Sequence, residues 1–199
     1  VASSPSLQGP ASTVTDARGE FRFASLPPGA YAVRADLSGF KSVIQRGIVV
    51  GLDRTVSLAF ELTVAPVAET ITVANDTPVI DRTSSTTGVN VTADLFTRLP
   101  TERDIYSIAR LAPGTQRDEA GVVFYGSSGA ENNYIIDRVF ATGMLYGTEG
   151  KQLTFYFVQE IEVKTGGLPA GYGRMTGGII NVLTRSGGNT FKGDAFGFY

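Results

Sequence analysis

The sequence predicts two β-rich modules in series: an all-β sandwich up to residue 63, then an α+β module over residues 78–187. Three observations point there. Short runs with period-two alternation, punctuated by Gly and Pro turns, fill the first third of the chain. Two helix-periodic segments, each stopped by a proline, open the second module. Apolar strands separated by Gly-rich loops follow them.

In the first module, Ala11 to Thr15 leads into a turn at Asp16-Ala17-Arg18-Gly19, and Glu20-Phe21-Arg22-Phe23 resumes the alternation. Leu26-Pro27-Pro28-Gly29 is a second turn, because Pro fixes φ and Gly accepts the positive φ that often follows. Tyr31, Val33, Ala35 and Leu37 then alternate with Ala32, Arg34 and Asp36, and Ile48-Val49-Val50 is a short strand ended by Gly51. Val56, Leu58, Phe60 and Leu62 alternate with Ser57, Ala59 and Glu61 as the cleanest half-buried strand. Val1-Ala2-Ser3 reads as the end of a strand, so the first strand of this sandwich is expected upstream.

Residues 64–77 read as a linker carrying one strand-like stretch, Glu69-Thr70-Ile71-Thr72-Val73-Ala74, with no hairpin partner nearby. In the second module Thr92 is an expected N-cap for a helix placing Leu95, Phe96 and Leu99 on one side, with Pro100 as its stop. A second helix is expected from Thr101 to Ala112, with Ile105, Ile108, Ala109 and Ala112 as its apolar face. Strands are expected at Tyr134-Ile135-Ile136, Ile161 to Lys164 and Ile179 to Leu183. The last is apolar on both faces, as a central strand should be. Residues 188–199 end in a loosely alternating aromatic run suited to the start of a transmembrane β-strand, which needs ~9–11 residues.

Composition narrows the chemistry. The chain has 17 basic and 19 acidic residues and no basic block, which argues against nucleic acid as a partner. It has neither His nor Cys, so Ser-His and Cys-His catalysis, disulfides, and thiolate or imidazole metal sites are excluded. No catalytic residue, metal or cofactor is expected. Glu160 and Glu162 share one strand face, which an acid/base pair could use, but solvated or salt-bridged strand residues are the plainer reading. Asp16 with Gly19 is read as a turn rather than a calcium loop. Gly166-Gly167 and Gly177-Gly178 lack the Lys-Ser/Thr of a phosphate loop and are read as tight turns and close strand approaches.

Three stretches carry a family resemblance. Asp16 through Tyr31 (DARGEFRFASLPPGAY) resembles the carboxypeptidase-regulatory-like domain, a transthyretin-like β-sandwich also classed with carbohydrate-binding-like folds. Glu69 to Ala74 resembles a TonB box. Glu160 to Val163, continuing through Tyr172-Gly173-Arg174-Met175-Thr176-Gly177-Gly178-Ile179-Ile180-Asn181-Val182-Leu183-Thr184, is similar to the closing segment of a TonB-receptor plug. The order is that of the Oar-like subgroup of TonB-dependent outer-membrane receptors.

The resemblance implies residues 1–63 as the sandwich, 64–77 as linker with TonB box, 78–187 as plug, and 188–199 as the first strand of a transmembrane β-barrel. It implies Glu69, Thr70, Ile71, Thr72, Val73 and Ala74 as the strand gripped by the TonB C-terminal domain, by β-augmentation. A linker strand docked on one of the modules is the alternative reading of that stretch. Glu162, Tyr172, Gly173, Arg174, Gly177, Gly178 and Asn181 are the implied structural plug motif. Loops between Gly121 and Asn133 and between Phe140 and Tyr156, including Tyr125, Asn132, Asn133 and Tyr146, are implied to face an imported substrate.

The same resemblance implies a Gram-negative outer-membrane location, this portion lying on the periplasmic side and in the lumen of the chain's own barrel. Departures from the pattern are visible. Tyr125-Gly126 and Thr165-Gly166 stand where many plugs carry the Arg-Gly pairs that lock to acidic barrel residues, so any lock would fall to Lys164 or Arg174. Arg138 follows Asp137 where Gly is usual, so it must avoid a positive φ or bear the strain. A surface sandwich that binds carbohydrate or protein, without transport, is the rival function.

Overall fold

The computed structural model describes residues 1–64, 70–74, 85–168 and 170–187, together with 191, 193 and 195. Glu69, most of the linker, and the expected barrel strand apart from three scattered positions lie outside the described residues. The chain is β-rich and divides into two compact units, one holding residues 1–83 and the other Ser84–Gly187.

The first unit is built on a four-stranded sheet in the order β1 (Ala2–Ser3), β2 (Gly29–Ala35), β3 (Ser42–Val50), β4 (Thr70–Ala74). β1 and β3 flank β2 antiparallel, and β4 joins β3 parallel. Tyr31 and Val33 point inward with Ala2 and Ile48, as the alternation requires. The Tyr31 hydroxyl donates to the Pro27 carbonyl at 2.5 Å, which satisfies its polar end. The β2–β3 register slips by one residue between Tyr31 and Val33. Opposite that slip lies Gly47 with φ +77°, a bulge that glycine accommodates without a Cβ clash.

Three expected strands carry no ladder. Ala11 makes a single bridge to Ala2, residues 20–23 and 54–63 belong to no ladder, and the Thr63 carbonyl accepts from the Lys41 amide beside a single Phe40–Val64 bridge. Their alternation is nevertheless real as burial: Val56, Leu58, Phe60 and Leu62 are half-buried between exposed neighbours. Phe23, Val56, Leu58 and Phe60 pack on the Ala2–Tyr31–Val33–Ile48 cluster, and the Phe21 ring lies 5.8 Å from Phe60. Period two reports which face is covered; backbone pairing needs a partner edge as well. The result, one sheet with extended chain laid over its apolar face, is consistent with a sandwich.

Asp16 closes its turn by accepting from the Arg18 and Glu20 amides, both at 2.9 Å. Its carboxylate is thus a turn acceptor, and among the described residues no carboxylate cluster could hold a metal.

The second unit begins with β5 (Thr87–Thr92), α1 (Ala93–Arg98) and α2 (Ile105–Ala109). A hairpin of β6 (Thr115–Asp118) and β7 (Gly121–Phe124) follows, then β8 (Asn133–Ile136), β9 (Val139–Phe140), β10 (Val158–Gly166) and β11 (Ile179–Thr184). Five of these strands form one mixed sheet in the order β5-β10-β11-β8-β9, in which only β8 and β11 run parallel. β11 sits at the centre, and its first four residues are buried.

α1 starts where expected, and α2 starts four residues later than expected. Thr92 occupies the N-cap position of α1, but its side chain makes no capping bond. Leu95 is exposed, and Phe96 alone carries the buried face of α1. α2 begins only at Ile105, because Asp104 caps it by accepting from the Ser107 amide at 2.8 Å. Residues before a carboxylate cap are outside the helix. The expected apolar face survives: Ile105, Ile108, Ala109 and Ala112 are buried with Val122, Phe124, Ile161, Val163 and Ile180.

Candidate functional site

Three regions carry the sequence-level candidates. The first is β4, Thr70 to Ala74. It is the end strand of its sheet, with Ser42 opposite Thr70, Val43 opposite Ile71, Ile44 opposite Thr72, Gln45 opposite Val73 and Arg46 opposite Ala74. The chain therefore supplies a partner for this strand that sequence proximity could not reveal: a parallel neighbour more than twenty residues upstream.

The second region is the face of β10 opposite the core. Alternation puts Ile161 and Val163 inward and Glu160, Glu162 and Lys164 on the other face. Glu162 stands between Asn90 on β5 and Asn181 on β11. Asn181 Nδ2 donates to Glu162 Oε2 at 3.4 Å, and Lys164 Nζ lies 3.5 Å from the same oxygen. Asn90 Nδ2 donates to Glu160 Oε1. Lys164 also donates to the Tyr172 hydroxyl at 3.3 Å, with its ammonium 5.0 Å from that ring's centre. Glu160, Glu162 and Lys164 are each about 5% exposed or less. Glu162 and Lys164 form a salt bridge, Glu160 is held by the Asn90 amide, and none of the three is solvated. The amide oxygens Asn90 Oδ1 and Asn181 Oδ1 are buried and have no hydrogen-bond donor among the described residues.

Most of the residues expected to form a plug motif lie near this row, with Arg174 exposed. Gly178 lets β11 close against its neighbours: a Cβ there would lie 2.7 Å from the Lys164 carbonyl oxygen and 2.8 Å from the Phe124 ring. On Gly177 a Cβ would come within 2.1 Å of Asn132 Oδ1. Both glycines serve close approach, and neither opens onto a phosphate-sized cradle. Tyr172 and Gly173 offer their carbonyls to Asn133 Nδ2 at 2.7 and 3.0 Å. Arg174 is exposed, with φ +60°. Of the two cations considered for a lock, Lys164 is thus buried against Glu162 and Tyr172, and Arg174 faces solvent.

The third region is the loops. Asn132 is 2% exposed and ties three segments together: its own turn, β7 and the start of β11. Its Nδ2 donates to the Val122 and Gly129 carbonyls at 2.5 and 3.1 Å, and its Oδ1 accepts from the Gly178 amide at 3.0 Å. Asn132 and Asn133 are both buried side chains held by backbone, Asn132 by Val122, Gly129 and Gly178, and Asn133 by the carbonyls of Tyr172 and Gly173. Their position after a Gly-rich stretch looked like a loop, and only the fold shows the backbone closing over them. Tyr125 and Tyr146 are exposed as expected.

Tyr146 lies with Met144 and Leu145 at the tip of a loop from Ala141 to Gly150. The loop is held by amide donations from Gly143 to Thr148 at 2.7 Å, Gly147 to Gly143 at 2.9 Å and Gly150 to Ala141 at 2.7 Å. Its base is anchored by Glu149, whose Oε2 accepts from the Tyr106 hydroxyl at 3.0 Å. Burial holds the Glu149 carboxyl above its ordinary range. Burial first, and the Glu149 charge second, raise the Tyr106 phenol. Arg117 lies 5.7 Å from the centre of the Tyr106 ring.

Lys164, Asn90 and Asn132 are the structural residues that sequence reasoning underrated. The alternation in Glu160-Ile161-Glu162-Val163-Lys164 was the available signal for the first.

Residues 1–63 match the carboxypeptidase regulatory-like domain. A TonB-dependent transporter, Oar, from Myxococcus xanthus is 38% identical over 98% of this chain. The chain spans about a fifth of that relative's length, 19%. No solved structure matches. With one relative aligned along nearly its whole length and the regulatory-like domain at residues 1–63, the chain belongs to the TonB-dependent receptor family.

Proposed function

We propose that the chain is the sandwich, TonB box and plug of an outer-membrane receptor that takes up a bulky substrate. The 38% identity to a TonB-dependent transporter along 98% of the chain carries this reading. Residues 78–187 act as the plug that gates the barrel, and residues 188–199 begin that barrel. Glu69 to Ala74 couple the plug to the TonB C-terminal domain in the periplasm. The chain acts by binding and gating; nothing in its composition offers an imidazole or thiol for catalysis.

The gating mechanism follows from strand exchange. An extended strand gives a partner main-chain hydrogen bonds for affinity and alternate side chains for register. Ligand binding outside shifts the population of the box state inside only if the two plug states differ in ligand affinity. Tyr125 and Tyr146, exposed on separate loops, are the groups retained as substrate-facing.

The test is capture of the chain by a TonB C-terminal domain, compared with an Ile71→Pro variant. Pro removes a ladder donor, so capture falls sharply for the variant. Equal capture of both chains overturns the assignment of the box.

A further inference from the structure

The strand read above as the TonB box is already paired within this chain. Its five residues run parallel to the first half of β3, from Ser42 opposite Thr70 to Arg46 opposite Ala74. β3 continues to Val50 and bulges at Gly47, which has φ +77° and follows the last residue of the described ladder to β4. A bulge bends its strand and increases local twist, which carries the rest of β3 away from a straight neighbour. Among the described residues the ladder covers five pairs, and parallel pairing is slightly weaker per residue than antiparallel. β4 is also an end strand, so among the described residues β3 is its single strand neighbour. A short, parallel, terminal strand is the part of a sheet most easily exchanged.

We propose that the regulatory-like domain is a clasp for the box. β3 holds Thr70–Ala74 as the end strand of its own sheet, and a partner domain presenting an unpaired strand edge must take the strand away from β3. This rests on the reading of Thr70–Ala74 as the TonB box. It adds that the sandwich sets how available the box is, by occupying one of its edges in the resting state. Covering β3 also has a resting advantage, because an uncovered strand edge is a site for unwanted pairing.

The chain contains no cysteine, so an engineered pair is the only thiol source. Ile44 and Thr72 are register partners. Thr72 is exposed, and Ile44 lies opposite the exposed Arg34 rather than the buried Val33. An Ile44→Cys, Thr72→Cys double variant therefore crosslinks β3 to β4 away from the core. Adjacent register partners fall within the Cα separation a disulfide spans.

In the full chain, capture by the TonB C-terminal domain is compared between the oxidised and reduced forms of this same double variant, because Thr72 lies in the box itself. The oxidised variant is captured at least tenfold more weakly, and reductant restores it. Amides of Ser42 to Arg46 also exchange faster with solvent once the TonB domain is added to the parent.

Equal capture of oxidised and reduced forms, with unchanged exchange in β3, means that the partner adds to the outer edge of β4 and overturns the clasp. Failure of the disulfide to form under oxidant overturns it too, because the strand is then not held in this register. If the parent itself is not captured, the box assignment falls, and the clasp falls with it. That outcome is distinct from the other two.

Discussion

Glu162 and Lys164 lie two residues apart on β10 with Oε2 and Nζ 3.5 Å from each other, both side chains about 5% exposed. Neither is on the surface, and each has a polar strand neighbour or ring beside it: Asn181 for Glu162, Tyr172 for Lys164. Charges at this depth are tolerated only in company, because the loss of hydration must be offset by pairing and hydrogen bonds.

Removing one partner should therefore cost more than removing both. Lys164→Met leaves the Glu162 carboxylate buried without its ammonium, and is expected to destabilise the second unit by about 3–5 kcal/mol. The double variant Glu162→Gln, Lys164→Met is expected to recover a large part of that loss. Chemical denaturation of the four chains of the cycle checks it; a double variant as weak as the single one contradicts it.

Arg138 bears the strain that its position predicts. Asp137 has φ +49° and Arg138 φ +70°, two consecutive left-handed residues joining β8 to β9. Paired positive φ values are the signature of the tight hairpin turn that favours Asx-Gly. Asp137 is fixed there by accepting from the Thr184 amide at 2.8 Å and the Thr184 hydroxyl at 2.6 Å. Arg138→Gly relieves the second residue, and the gain is reduced by glycine's greater freedom in the unfolded chain. The expected result is stabilisation by about 0.5–1 kcal/mol, visible as a rise of a few degrees in the unfolding midpoint. A fall in the midpoint contradicts the turn assignment.

Glu149 should impose a pH dependence of a definite sign. Burial raises its folded-state pKa, so the folded chain binds this proton more tightly than the unfolded chain does. Its favourable contribution is complete below the ordinary Glu value of about 4.3 and is lost as pH rises through the folded value. Asp118 acts in the opposite sense: amide donation from Gly129, then Ala120 and Gly121, holds its carboxyl low, so its contribution is lost as pH falls below the ordinary Asp range. The two are separated by Glu149→Gln, which keeps an acceptor for the Tyr106 hydroxyl and removes the proton. Denaturation midpoints from pH 4 to 7 should fall less steeply for the variant than for the parent. Parallel curves would show that Glu149 titrates no differently in the folded chain.

Much of the second unit was legible in the residues. The Ile105, Ile108, Ala109, Ala112 spacing gave a true buried face, and Ile179 to Leu183 was a central strand because nothing polar interrupts it except Asn181. The length of α2 was not legible, because Asp104 chose between extending and capping by the local geometry of Ser107. In the first unit the Val56 to Leu62 alternation correctly named the covered side chains and wrongly implied a ladder.

The sequence by itself determined the β-rich class, the absence of imidazole and thiol chemistry, the family, and the periodicities that decide which side chains turn inward. These are local or compositional properties, set by residue type and by the two- and three-to-four-residue repeats of backbone geometry. Tertiary structure decided what lies beside each strand. It paired Thr70–Ala74 with Ser42–Arg46, buried Glu162 with Lys164 under Tyr172, and closed backbone around Asn132. Those outcomes depend on contacts between residues distant in the chain, whose desolvation and hydrogen bonding exist only once the fold has brought them together.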